Sequence, residues 1–152
     1  MTKSNADDVK TTVFKGNPVL SLIGVLLSGS LIFFGWLTIQ SFEKGAPSTV
    51  LLWISAMLVF VIGLGLQLFY FELSANRLEI RNHIFWWYKK EYPLQNITGV
   101  VIGHVFRQST HLRINTNNRK SRKFPAGSLR EKNWTALGKA LHHRHISVRN
   151  GG

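Results

Sequence analysis

Two stretches decide the fold: residues 19–39, VLSLIGVLLSGSLIFFGWLTI, and residues 50–71, VLLWISAMLVFVIGLGLQLFYF. The first holds 21 residues and the second 22, and neither contains a charge. At ~1.5 Å rise per residue, each spans roughly 30 Å as a helix, the thickness of a bilayer's hydrocarbon core. A signal peptide competes for the first run. Its apolar stretch is too long for a typical h-region, however, and no small-x-small cleavage site follows. Two transmembrane helices are therefore expected, at 19–39 and 50–71, within an anchor covering residues 18–71.

The connection 41–48, SFEKGAPS, is short and contains Gly45 and Pro47, so two such helices must form an antiparallel hairpin, with its loop at 40–49. Both ends of the chain then lie on one side. The N-terminal arm, residues 1–17, carries Lys3, Lys10 and Lys15, the loop carries Lys44 alone, and the segment after residue 71 is rich in Lys and Arg. By the positive-inside rule this predicts a multi-pass protein of the cell inner membrane, with both termini cytoplasmic. Phe69, Tyr70 and Phe71 are expected to mark the exit from lipid, where aromatic rings favour the interface.

Small residues recur along each span: Ser21, Gly24, Ser28 and Gly35 in the first, and Ala56, Gly63 and Gln67 in the second. Small residues allow close helix approach in lipid, and a Gln seeks an interhelical hydrogen bond. These faces either meet each other within the hairpin or dock another membrane protein. No charged residue lies inside either run, which removes support for an ion or proton path.

Beyond residue 71 the period changes. From Glu72 onward there are fifteen Lys or Arg and four acids, which accounts for +11 of the net +12. In residues 77–81, RLEIR, Leu78 and Ile80 share one face and the charges the other, as in a half-buried strand. Residues 85–92 read as an aromatic strand closed by Pro93. Residues 97–106 are β-branched, with Gly99 and Gly103 placed for bulges. HLRINT at 111–116 alternates again, and a strand is expected to return at 122–124. Ser128 and Glu131 have the spacing of a capping box. Trp134, Leu137 and Leu141 then form an apolar stripe for a helix lying on a sheet.

Two apolar spans leading into F-x-L-S-x-N-R-L-x-I, followed by Y-P-L-x-N-I at 92–97 and K-F-P-A at 123–126, resemble bacterial membrane proteins with a pleckstrin-homology-like domain. The Trp134 helix is similar as well, and the resemblance covers roughly residues 69–147. It implies a small, partly open antiparallel β-barrel capped by a C-terminal amphipathic helix, and it carries no catalytic residue. The expected fold is thus a membrane α-helical hairpin plus an α+β domain at 72–147, with a disordered tail at 148–152.

Contact residues are sought in two places. Arg119, Lys120, Arg122 and Lys123 put four cations into five residues on a predicted turn. Near an anionic bilayer each is worth about 1 kcal/mol, and the tether keeps that surface close. The same turn read as a solvated loop only enforces topology. As a nucleic-acid patch it lacks a recognition motif. Trp86, Trp87, Tyr88, Lys89 and Lys90 interleave rings with cations beside the second span, suiting a headgroup or partner contact.

His142, His143 and His145 lack a nearby carboxylate or Cys and make a poor metal site. His104 and His111 read as single structural histidines. The sequons at Asn96 and Asn133 have no use in a cytoplasmic domain. The chain has no cysteine, which excludes disulfides and thiolate chemistry. With no phosphate loop, nucleophile elbow or metal signature, no cofactor and no enzymatic activity are expected. The composition points to a non-catalytic, membrane-anchored binding or scaffolding module that joins other membrane subunits. A sensor of anionic lipid headgroups is the alternative.

Overall fold

Ser21 opens the first helix. In the computed structural model, which describes residues 11–103, 110–118 and 121–151, its hydroxyl accepts a hydrogen bond from the Gly24 N–H at 3.0 Å and caps α1, Leu22–Glu43. Upstream, the Asn17 side-chain oxygen accepts from the N–H groups of Val19 and Leu20, which holds those residues in a turn. Gly45 then turns the chain at φ +66°, a left-handed conformation that costs glycine nothing sterically. Pro47 starts α2, Pro47–Gly65, where a missing N–H would be unpaired anyway. At ~1.5 Å per residue the helices measure about 33 and 28 Å. Both are long and apolar enough to cross a membrane, and most of their large side chains are exposed.

The boundaries differ from expectation at all four ends, most informatively at the end of α2. The second helix stops at Gly65, six residues early, and Leu66 to Leu68 form a turn. Residues Phe69–Leu73 are strand β2, not the lipid exit of a helix. Phe69, Phe71 and Leu73 point inward, while Tyr70 and Glu72 alternate outward. A continuous apolar run hides that period of two, because buried strand and buried helix read alike over a few residues.

Two four-stranded sheets follow, giving an α+β architecture. The first has the order β1-β2-β3-β4, with β1 at Thr12–Phe14, β3 at Arg77–Asn82 and β4 at Lys89–Pro93; every pair is antiparallel. The N-terminal arm is therefore part of the sheet at residues 12–14, paired in register with Leu73, Glu72 and Phe71. The second sheet has the order β7-β6-β5-β8, built from β5 (Ile97–Gly103), β6 (His111–Thr116), β7 (Ser121–Pro125) and β8 (Val148–Gly151). Strand β8 runs parallel to β5, so residues 148–151 are ordered in a sheet instead of forming a loose tail. The expected bulge appears as a register shift between Ile97 and Gly99.

The sheets share one core, with Phe124 packed on Phe69 and Tyr92, and they are bonded at a corner where Leu68 bridges Ala126 and the Gly127 N–H donates to the Gln67 carbonyl. Among the described residues no continuous ladder closes them into a barrel. Helix α3, Glu131–His142, covers the shared core with Trp134, Leu137 and Leu141. Its start is not the capping box that the sequence suggests. Arg130 is the N-cap residue, and the Ser128 hydroxyl is buried without a partner. Ser128 is fixed by packing instead: its carbonyl sits so close to Gly16 that a Cβ there would collide with it.

Candidate functional site

Asn82 is buried at the end of β3 and makes three hydrogen bonds. Its amide N–H donates to the Gly65 carbonyl at 2.8 Å, joining the Leu68 N–H on that last carbonyl of α2. Its carbonyl oxygen accepts from Ile84 N–H at 2.8 Å and Phe85 N–H at 2.9 Å. This side-chain turn ends β3, so the aromatic run begins in a loop, and only Lys89–Pro93 continues as strand. The Phe85 ring lies against Gly65, where a Cβ would press on it.

The loop presents its tryptophans at the last turn of α2. Trp86 is 82% exposed and Trp87 66%, and their rings pack edge to face at 5.8 Å. The other three residues of the expected contact set are engaged elsewhere. Tyr88 packs edge-on to Phe69 at 5.2 Å. Lys89 pairs with Glu91 at 2.6 Å and Glu79 at 3.4 Å. The Lys90 ammonium stands over the Tyr92 ring at 5.9 Å. A row of ring–cation alternation thus resolves into two free indoles and three anchored neighbours.

Lys89 belongs to a network on the outer face of the first sheet. Glu72, Glu79 and Glu91 lie opposite one another on β2, β3 and β4. Three like charges in register repel, and the sheet interleaves cations to offset this. Glu79 is contacted by Arg77 at 2.8 Å and Arg81 at 3.0 Å, and Arg81 reaches Glu72 at 3.4 Å. Burial works to raise the Glu79 pKa, but the Arg81 hydrogen bond and the charges of Lys89 and Arg77 outweigh it and hold the carboxyl below its ordinary range. This face is charge-balanced within itself.

Near the α2 end, the His83 ring lies 4.7 Å from Tyr70, whose other neighbour is the Lys15 ammonium at 5.4 Å. Burial, with the Lys15 charge adding to it, pushes the imidazole down to about 4. His83 is therefore neutral at physiological pH.

Of the basic cluster, only Arg122 and Lys123 are among the described residues. Arg119 and Lys120 fall outside the described residues, as does His104. On the preceding flank, the Asn117 N–H donates to the Asn96 carbonyl, beyond the end of β4. Strand β7 carries Arg122 and Lys123, both exposed, and returns from there to Ala126, beside Leu68. At ~3.3 Å per residue Ser121, where β7 starts, stands roughly 15 Å along the strand from Ala126.

The small residues of the two helices are also placed differently from the expected packing faces. Phe34 is buried between the helices, 5.2 Å from Phe60 and 6.2 Å from Trp53. Those rings hold the helices apart, and a Cβ at Gly35 or Gly63 would meet nothing. Gly24 is buried against the Pro18 carbonyl, Ser21 is the helix cap, Ser28 is exposed and Ala56 half-buried. Gln67 lies past the helix, in the turn joined to Gly127.

His142, His143 and His145 are exposed around the end of α3, and among the described residues no three potential ligands converge on a metal position. A hollow of about 370 Å³ beside α3 contains Glu131, Trp134, Lys139 and His142, with no second carboxylate for acid–base work. Comparison of the sequence with protein-family models and with curated proteins gives no match.

Proposed function

We propose that this chain is a non-catalytic, membrane-anchored binding module, an accessory or assembly subunit of a larger membrane complex. On this reading α1 and α2 are a transmembrane hairpin of the bacterial inner membrane. The two-sheet domain is pleckstrin-homology-like and cytoplasmic, on the side the positive-inside rule selects. The observation that carries the reading is the Asn82 junction, which fastens the domain and its exposed Trp86–Trp87 loop to the last carbonyl of an apolar helix. Indole rings favour the headgroup layer, so a loop in this place seats the domain on the bilayer. Ser28, Gly35 and Gly63 are left uncovered by the hairpin and offer room for a further helix. The alternative, a lipid sensor acting through the basic turn, draws less support because Arg122 and Lys123 sit at the start of β7, away from its Ala126 end beside Leu68.

Extraction in several mild detergents, followed by size analysis and identification of bound polypeptides, tests the proposal. The expected result is a particle containing other membrane proteins in fixed ratio. A lone 17.3 kDa chain in its micelle under every condition contradicts it.

A further inference from the structure

The two sheets treat charge in opposite ways. The outer face of the first interleaves acids with cations. From Ile97 to Gly152 the sequence holds eleven Lys or Arg and a single acid, Glu131, which lies on α3. Strands β5, β6, β7 and β8 contain no acid at all.

Register gathers these cations into a row. Val101 on β5 faces Arg113 on β6 and Arg149 on β8, and Arg113 in turn faces Lys123 on β7. Their neighbours along the strands, Leu112, Ile114 and Phe124, are buried, so Arg113 and Lys123 point outward. With strands ~4.8 Å apart, the row from Arg149 to Lys123 crosses about 14 Å of sheet. All three cations are exposed, and among the described residues none has an acidic partner. Directly opposed like charges such as Arg113 and Lys123 destabilise a sheet. Next to the row, Gly99 leaves a hollow of about 230 Å³ on the same face, rimmed by Asn115, Ser147 and Arg149.

We propose that this face docks an extended acidic segment of a protein partner, laid over Gly99 and Val101 with its carboxylates on Arg149, Arg113 and Lys123. Charge complementarity selects the occupant. A guanidinium matches a carboxylate in two parallel hydrogen bonds, and docking would relieve the repulsion the sheet retains. A lipid surface fits less well, because the strand ends nearest α2 present Gly103, His111 and Pro125 and the row lies partway along the strands. Single-stranded nucleic acid would want aromatic platforms, and no Phe, Tyr or Trp points outward from β5, β6, β7 or β8.

The inference rests on the binding-module reading and names the chemistry of the partner. Its test uses the full chain in phosphatidylcholine nanodiscs and a short fluorescent polyglutamate peptide, read by anisotropy. Arg113→Gln, Lys123→Gln and Arg149→Gln together should weaken peptide binding about tenfold or more, while leaving the unfolding midpoint unchanged or raised. Arg130→Gln, Lys132→Gln and Lys139→Gln remove the same charge elsewhere and should change it about twofold or less. Equal losses in the two triple variants, or no binding by the unaltered protein, overturn the proposal. So does tighter binding of oligothymidylate or phosphatidylglycerol vesicles through the same three residues. If the peptide fails while the protein still extracts as a complex, only the docking face is lost and the module reading stands.

Discussion

Asn82→Ala lowers the stability of the domain by about 3 kcal/mol, because it leaves two N–H groups unpaired and strips a carbonyl of one of its two donors. The N–H groups of Ile84 and Phe85 lose their acceptor, and the Gly65 carbonyl is left with the Leu68 N–H alone. All three stand where Phe85 and Ile84 close over the end of α2, so water does not replace the bonds cheaply. Asn82→Asp separates the two halves of the junction. It keeps the acceptor for the loop amides but loses the donor to Gly65 and faces that carbonyl with a charge. Hydrogen exchange in detergent should show Ile84 and Phe85 opening in the Ala variant and staying protected in the Asp variant. A change within about 0.5 kcal/mol for Asn82→Ala would mean that the junction contributes little.

Phe71→Ala has the larger effect, about 3–5 kcal/mol, the usual cost of truncating a buried aromatic side chain. Phe71 is fully buried, packs on Trp134 at 5.5 Å, and pairs with Phe14 of β1 and Ile80 of β3. One side chain thus joins the N-terminal strand, the first sheet and α3. A domain with a core this small has little stability to spare. The helical pair does not depend on this contact, so the variant should retain its anchor while the domain melts. Its many Lys and Arg sites then become open to trypsin. Phe71→Leu, which keeps most of the volume, should cost about 1.5 kcal/mol and leave the domain resistant. Trypsin resistance of Phe71→Ala equal to that of the unaltered chain would contradict the account of the core.

Much of this was legible in the sequence, and the limits have physical causes. The apolar runs announced both helices, and the alternation of RLEIR and HLRINT announced β3 and β6 with their inward faces. The end of α2 was not legible, since Phe69, Tyr70 and Phe71 are apolar in either conformation and only pairing with β3 makes them a strand. Strand β1 is three residues long, and its partner Leu73 lies far along the chain from Thr12. Strand β8 has one apolar residue, Val148, and depends on a parallel partner beyond α3. At the candidate site the aromatic run stands out and Asn82-His83 reads as a turn, but the Asn82 side-chain bonds that tie this turn to the end of α2 exist only in the fold. The row Arg149–Arg113–Lys123 draws on three separate segments and exists only through register. The dense cluster at 119–123 drew attention because charge density is a local property of sequence, whereas a sheet face is not.

The central claim is that α1 and α2 cross the bilayer as a hairpin, with the Lys44–Ala46 turn on one side and the two-sheet domain on the other. The chain contains no cysteine, so single thiols can be placed without background. Ser48→Cys puts a thiol just past the turn, and Asn118→Cys puts one on the exposed far end of the domain. The decisive measurement is labelling by a membrane-impermeant maleimide, in spheroplasts before and after permeabilisation. The account predicts that the thiol at 48 reacts in intact spheroplasts and the thiol at 118 only after permeabilisation. Reaction of both thiols from the same side of the intact membrane would contradict it.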